Sequence, residues 1–181
     1  MGKIQDLSKF TIKAGSRGRN IFIVQLWYII NSTFFAMSPQ VMNLRRIFLL
    51  RIFGAKIGSG VIIRSSAIIT YPWKLNIGNN SWIGEDVTLY NLDNIIIGSD
   101  VVISQKSYLC TGSHDYSDAN FPQTTKPIIV KDQVWVAADV FIFCGVELGE
   151  GCIVGCRSSV YTNIPDRKIC FGNPARVISD R

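Results

Sequence analysis

Aliphatic residues return every six positions along most of this 181-residue chain, and few folds can use such a period. Ile57, Ile63 and Ile69 form one trio, and Ile77, Ile83 and Leu89 a second. Ile97, Ile103 and Leu109 follow, then Val130, Val136 and Ile142, then Leu148, Val154 and Val160. The trios begin at 57, 77, 97, 130 and 148, giving steps of 20, 20, 33 and 18 residues. Four residues after most marks stands a small or β-branched residue, among them Val61, Ala67, Ser81, Val87, Val101, Ser107, Ser113, Val134, Val140, Val146, Cys152 and Ser158. Gly58, Gly78, Gly84, Gly98, Gly149 and Gly155 directly follow a mark. Neither the 3.6-residue helical period nor strict alternation generates this spacing.

A six-residue unit holds one short strand and a tight turn. Three units close a triangular coil of 18 residues, the shortest of the observed steps. Successive coils pair their backbones at about 4.8 Å, with the aliphatic marks stacked inside. No unit buries its face alone, so stability comes from stacking and both ends need caps. The longer steps carry two, two and fifteen extra residues, always between the third mark of one trio and the first of the next. All insertions therefore leave the same corner of the triangle. The expected organisation is an all-β solenoid: a helical segment over 1–56, about five coils over 57–165 with an inserted loop 115–129, and a tail over 166–181.

This repeat, an aliphatic residue, Gly, two free positions and a small residue, resembles that of the hexapeptide-repeat acyltransferases. Four further stretches sharpen the resemblance: Tyr71-Pro72-Trp73, Thr111 to Tyr116, Val134 to Ala138 and Gly172 to Ile178. Together they look like the colanic-acid or exopolysaccharide biosynthesis acetyltransferases, which are close to the sugar O-acetyltransferases. The resemblance implies a left-handed parallel β-helix, an exception to the right-handed crossover rule. It also implies acetyl-CoA as acyl donor, a sugar or lipid-linked saccharide as acceptor, no metal, and a homotrimer with sites between subunits.

His114 is the only histidine, and it opens the fifteen-residue insertion. A departure from a regular solenoid is where function concentrates, and imidazole suits a general base near neutral pH. The resemblance places the family's catalytic base on this residue. Asp115 either orients the imidazole or points elsewhere. Trp135 either fills a subunit contact or shapes the pocket for the acetyl and pantetheine groups. By resemblance the coil carrying Ala137 and Ala138 supplies backbone N–H groups to the oxyanion, the CoA arm touches the coils at Ala138 and Cys156, and Arg176, with Arg181 behind it, meets the adenosine phosphates through its planar fork. Asn91 is the candidate acceptor contact. One departure stands out: relatives commonly carry Thr-Lys after the last coil, where this chain has Tyr161-Thr162.

Rival chemistries are narrowed by counting. A zinc site of the γ-class carbonic anhydrase type needs three histidines, and one is present. Sugar nucleotidyltransferases add a Gly-rich nucleotide domain that has no counterpart here. Five Cys without C-x-x-C spacing do not make a disulfide framework. Packing explains Cys110 and Cys152 better than nucleophilic catalysis does. A non-catalytic scaffold and N-acetylation of an amino sugar remain as alternatives.

Charge is lopsided. Residues 1–56 hold nine bases and one acid, Asp6, for +8, while the remaining 125 hold ten bases and twelve acids, for −2. No basic nucleic-acid groove is expected in the body of the chain. The N-terminal excess instead suits a solvated face or contact with an anionic membrane. The apolar run Ile21 to Met37 is too short and too interrupted to span. Two helices, over about 20–36 and 40–53, are expected, with Ser38 as N-cap, Pro39 in the first turn and Gly54 as terminator. Val41, Leu44, Ile47 and Phe48 form the expected core stripe, with Arg45 and Arg46 facing away. Unpaired Cys and the absence of a signal-like start point to the cytoplasm, with peripheral contact at the inner membrane face as a further expectation.

Overall fold

The computed structural model describes residues 4–13 and 15–181. Lys3, one of the nine N-terminal bases, lies outside the described residues. Three parallel walls wind around one core, and every aliphatic mark falls in register. Ile57, Ile77, Ile97, Val130 and Leu148 stack on the first wall. Ile63, Ile83, Ile103, Val136 and Val154 stack on the second, and Ile69, Leu89, Leu109, Ile142 and Val160 on the third. All fifteen are buried.

The positions four residues later are buried as well, and their polar members are satisfied. Ser81 Oγ donates to the Gly98 carbonyl at 2.8 Å, and Ser107 Oγ to the Ala137 carbonyl at 2.9 Å. Ser113 leaves this series, because the chain there has already departed into a hairpin. Gly78 is required by close approach: a Cβ there would lie 2.6 Å from the Gly98 carbonyl carbon of the next coil.

The coils number about six rather than five. Ile164 bridges Leu148 on the first wall, and Cys170, in the strand Lys168–Gly172, pairs with Val154 on the second. The strand Ala175–Asp180 then folds back antiparallel on Lys168–Gly172. This partial sixth coil is hard to find by period, since its first mark follows Leu148 by 16 residues rather than 18.

The N-terminal end is closed by α1 (Ile21–Ile30) and α2 (Asn43–Ile52). A π-type turn, Asn31–Phe35, extends the first, and a 3-10 turn, Gln40–Met42, leads into the second. Gly54, at φ 96°, stops α2 as expected. Ser38 is not an N-cap: it is buried, donates to the Phe35 carbonyl at 2.6 Å, and accepts from Arg46 Nη1 at 2.9 Å.

The first coil has no preceding coil to pair with, so its edge would expose unpaired backbone groups. Side chains of the helices take that place. Asn43 Nδ2 donates to the Val61 carbonyl at 2.8 Å, and its Oδ1 accepts from the Ile63 N–H at 2.9 Å. Arg46 Nε donates to the Ile63 carbonyl and Trp27 Nε1 to the Ile69 carbonyl, each at 2.8 Å. Arg51 Nη2 donates to the Ile57 carbonyl at 2.6 Å. This need for donors reverses the expected orientation of α2. Arg46 is fully buried beside Ile47 and Leu50, whereas Val41, Leu44 and Phe48 face outward. Only Ile47 of the expected stripe meets the core.

Candidate active site

Insertions leave the corner between the third and first walls, as the step lengths imply. The largest forms an antiparallel hairpin, Gly112–His114 against Gln123–Thr125, with His114 directly opposite Gln123. His114 Nδ1 lies 3.0 Å from the Phe121 carbonyl oxygen. A carbonyl only accepts, so in the neutral imidazole Nδ1 carries the proton and Nε2 the lone pair. The Phe121 ring stacks on the imidazole at 4.3 Å and 8°, and Phe10 flanks it at 5.8 Å. Phe121 sits at φ 51°, an uncommon conformation for a bulky residue. Such strain is retained where the surroundings over-determine it, commonly at functional sites.

Asp115 is not the orienting group. Its carboxylate accepts from the Ser117 N–H at 2.9 Å and Oγ at 2.5 Å, and these hydrogen bonds hold its pKa below the usual carboxylate range. Asn91 is not exposed to an acceptor either. It is fully buried, with Oδ1 accepting from the Tyr71 N–H at 2.8 Å and Nδ2 donating to the Tyr71 carbonyl at 2.6 Å. Its amide links two coils, and repeat phase alone does not reveal that inward direction.

The same corner holds a cavity of about 520 Å³ between the coils, the hairpin and the N-terminal segment. Gln123, Tyr71, Tyr90, Lys74, Lys13 and Arg17 are among its walls. Burial pushes the Tyr71 phenol up to about 12, so it remains a donor. Lys74 donates to the Ser16 carbonyl at 2.6 Å, tying the N-terminal segment to the cavity, and Asp6 N–H donates to the Ala119 carbonyl at 2.7 Å.

A second concavity, about 430 Å³, lies at a different corner, between the second and third walls. It gathers Trp135, Ala137, Ala138 and Cys156, together with Gly155 and Phe171. Trp135 Nε1 donates to Ser104 Oγ at 3.1 Å, which holds the indole along the groove. Arg176 stands opposite Phe171 in the terminal hairpin, exposed, with Nη1 bonded to the Ala175 carbonyl at 2.9 Å. Arg181 is already tied to the Gln133 and Gly151 carbonyls. Tyr161 is remote from this groove and packs against Phe141 and Phe143. Among the described residues no cluster of His, Cys, Asp or Glu could hold a metal ion.

Burial raises the thiol pKa of Cys110, Cys144, Cys152 and Cys170, in Cys152 to about 12 and in Cys170 to about 11. These thiols are poor nucleophiles.

The chain is 53% identical, over 98% of both sequences, to the protein of Escherichia coli K12 named as a colanic acid biosynthesis acetyltransferase, WcaF. It belongs to the family of colanic acid biosynthesis acetyltransferases. Galactoside O-acetyltransferase of Escherichia coli is a more distant relative, 26% identical over 70% of this chain and 64% of that protein. Among solved structures, the hexapeptide-repeat acetyltransferase from Vibrio cholerae complexed with acetyl coenzyme A superposes with a TM-score of 0.80. That match has 22% identity over 88% of this chain and 87% of the other. Galactoside acetyltransferase in complex with coenzyme A gives 0.79, at 22% identity over 93% and 84%. No family model matches the chain.

Sequence reasoning missed Phe121, Phe10, Gln123 and Phe171. Phe121 acts through its backbone carbonyl, which every residue possesses. The aromatic-proline pair Phe121-Pro122 inside a polar loop was the available signal.

Proposed function

We propose that this acetyltransferase moves the acetyl group of acetyl-CoA to a saccharide hydroxyl in extracellular polysaccharide biosynthesis, by direct attack with His114 as general base. The observation that carries the mechanism is the His114 tautomer, with Nδ1 held by the Phe121 carbonyl and Nε2 left as a base. The near relative WcaF carries the pathway, colanic acid.

Nε2 takes the proton of the hydroxyl as its oxygen attacks the thioester carbonyl. The tetrahedral intermediate collapses with loss of the CoA sulfur, which receives the proton from His114. Backbone N–H groups steady the oxyanion. The Ala137 N–H is spent on the Val154 carbonyl at 2.9 Å, which leaves Ala138 as the donor on that coil. CoA occupies the groove along Trp135, Ala138 and Cys156, with Arg176 at its phosphate end, and the acceptor enters the cavity beside Gln123. A donor of this kind places the reaction in the cytoplasm.

Within one chain, His114 and the groove stand on different corners of the triangle. That separation supports a homotrimer in which the His corner of one subunit faces the groove of the next.

Titrating acetyl-CoA into the protein tests the donor without any choice of acceptor. Saturable binding near one per chain is expected. A folded protein that takes up none at millimolar donor would favour a scaffold. The groove itself is tested at Gly155, where a Cβ would lie 1.9 Å from the Phe171 ring. Gly155→Ala must displace that ring, and acetyl-CoA affinity is expected to fall about tenfold, or 1.4 kcal/mol. Unchanged affinity in a folded variant would take Phe171 out of the donor site.

A further inference from the structure

The outer face of the helical cap is apolar where it should be polar. On α2, Asn43, Arg46, Ile47 and Leu50 turn toward the first coil, and Leu44, Phe48 and Ile52, with Val41 in the turn before the helix, occupy the opposite stripe. Val41 is 91% and Leu44 81% exposed. On α1, Phe22, Leu26 and Ile29 are exposed as well, Phe22 at 82%, and between the helices Phe34 and Met37 line one concavity with Met42 and Arg45. A helix as apolar as α1, in which Gln25 is the one amide among ten residues, is ordinarily covered, and so many exposed large apolar side chains on one cap mark a contact surface.

Charge says what covers it. Between Asp6 and Glu85 the chain contains no acid, while Arg19 before α1, Arg45 and Arg51 on α2 and Lys56 after it are all exposed. Arg45 lies over the Phe34 ring at 5.6 Å, at the border of the apolar surface. A second copy applied face to face would bring cations against cations with no carboxylate between them. An anionic bilayer offers both complements at once, acyl chains for the apolar stripe and headgroup phosphates for the guanidinium and ammonium rim. Among the described residues no helix is long and apolar enough to cross a membrane. We infer that the helical cap lies in the interface of an anionic bilayer, α1 and α2 in the membrane plane, with the solenoid standing away from it.

Co-sedimentation of the full chain with phosphatidylcholine vesicles, with and without about a third phosphatidylglycerol, tests this independently of the transferase reading. Partition onto the anionic vesicles should exceed that onto neutral ones at least about tenfold, as expected when two or more cations near the surface contribute. Leu44→Glu with Phe48→Glu should lose most binding to either vesicle, and Arg45→Glu with Lys56→Glu should bind anionic vesicles no better than neutral ones. Both pairs sit on exposed positions, so each should melt with wild type. Wild type left in solution beside anionic vesicles at low salt overturns the inference. So does a Leu44→Glu/Phe48→Glu protein that still binds vesicles but is smaller by light scattering, because the face is then a subunit contact.

Discussion

His114→Ala is expected to lose about 100- to 10,000-fold in turnover, the range that a positioned general base contributes, while acetyl-CoA affinity stays within about twofold. The split follows from the proposed roles: the imidazole, held by Phe121, takes the hydroxyl proton, while the concavity around Trp135 and Cys156 holds the CoA arm. Single-turnover rates and donor titration on the same variant separate chemistry from binding. Asp115→Ala is the internal comparison, because that carboxylate is spent on Ser117 and should change turnover little. Equal losses in the two variants would remove His114 from the role of base.

Arg46→Met is expected to be the most destabilising single change in the helical cap. The guanidinium is fully buried, and it donates to the carbonyls of Ile63, Pro39 and Gln40 and to Ser38 Oγ. Burial, with Arg64 nearby, lowers its pKa, but its four acceptors make the charged form the useful one. Met fills the volume and leaves those oxygens without donors. Breaking such a buried polar network costs about 3 kcal/mol or more. In a chain of this size that lowers Tm by about 6–12 °C. Arg45→Met, one residue earlier but exposed, should stay within about 2 °C. Matching melting curves for the two variants would show that Arg46 does not hold the edge.

The walls were legible because each aliphatic mark reports the same thing, a side chain pointing inward at a fixed register. Fifteen such reports over-determine a solenoid even when each is weak. Trp135, Ala137, Ala138 and Cys156, which the resemblance assigns to the donor, meet in one concavity, because outward positions beside a second-wall mark recur at the same corner. The cap was misread at α2 because apolar periodicity assumes that the surface beneath a helix wants apolar cover. Beneath α2 the first coil presents bare carbonyls, so Asn43 and Arg46 turned inward and Leu44 and Phe48 outward. Asn91 and Asp115 failed for a related reason. Their positions along the chain gave their corner correctly, but not whether a backbone amide or a neighbouring serine would claim the side chain first.

The confinement of every insertion to one corner has an evolutionary reading. Residues added between a third-wall strand and the next first-wall strand shift no pairing register, as the steps of 20 and 33 residues demonstrate. Loop length and composition at that corner can therefore change while the concavity between the second and third walls, built from the turns of regular coils, keeps its register. Under the proposed roles, such an enzyme could change what it modifies without renegotiating where the acyl group comes from.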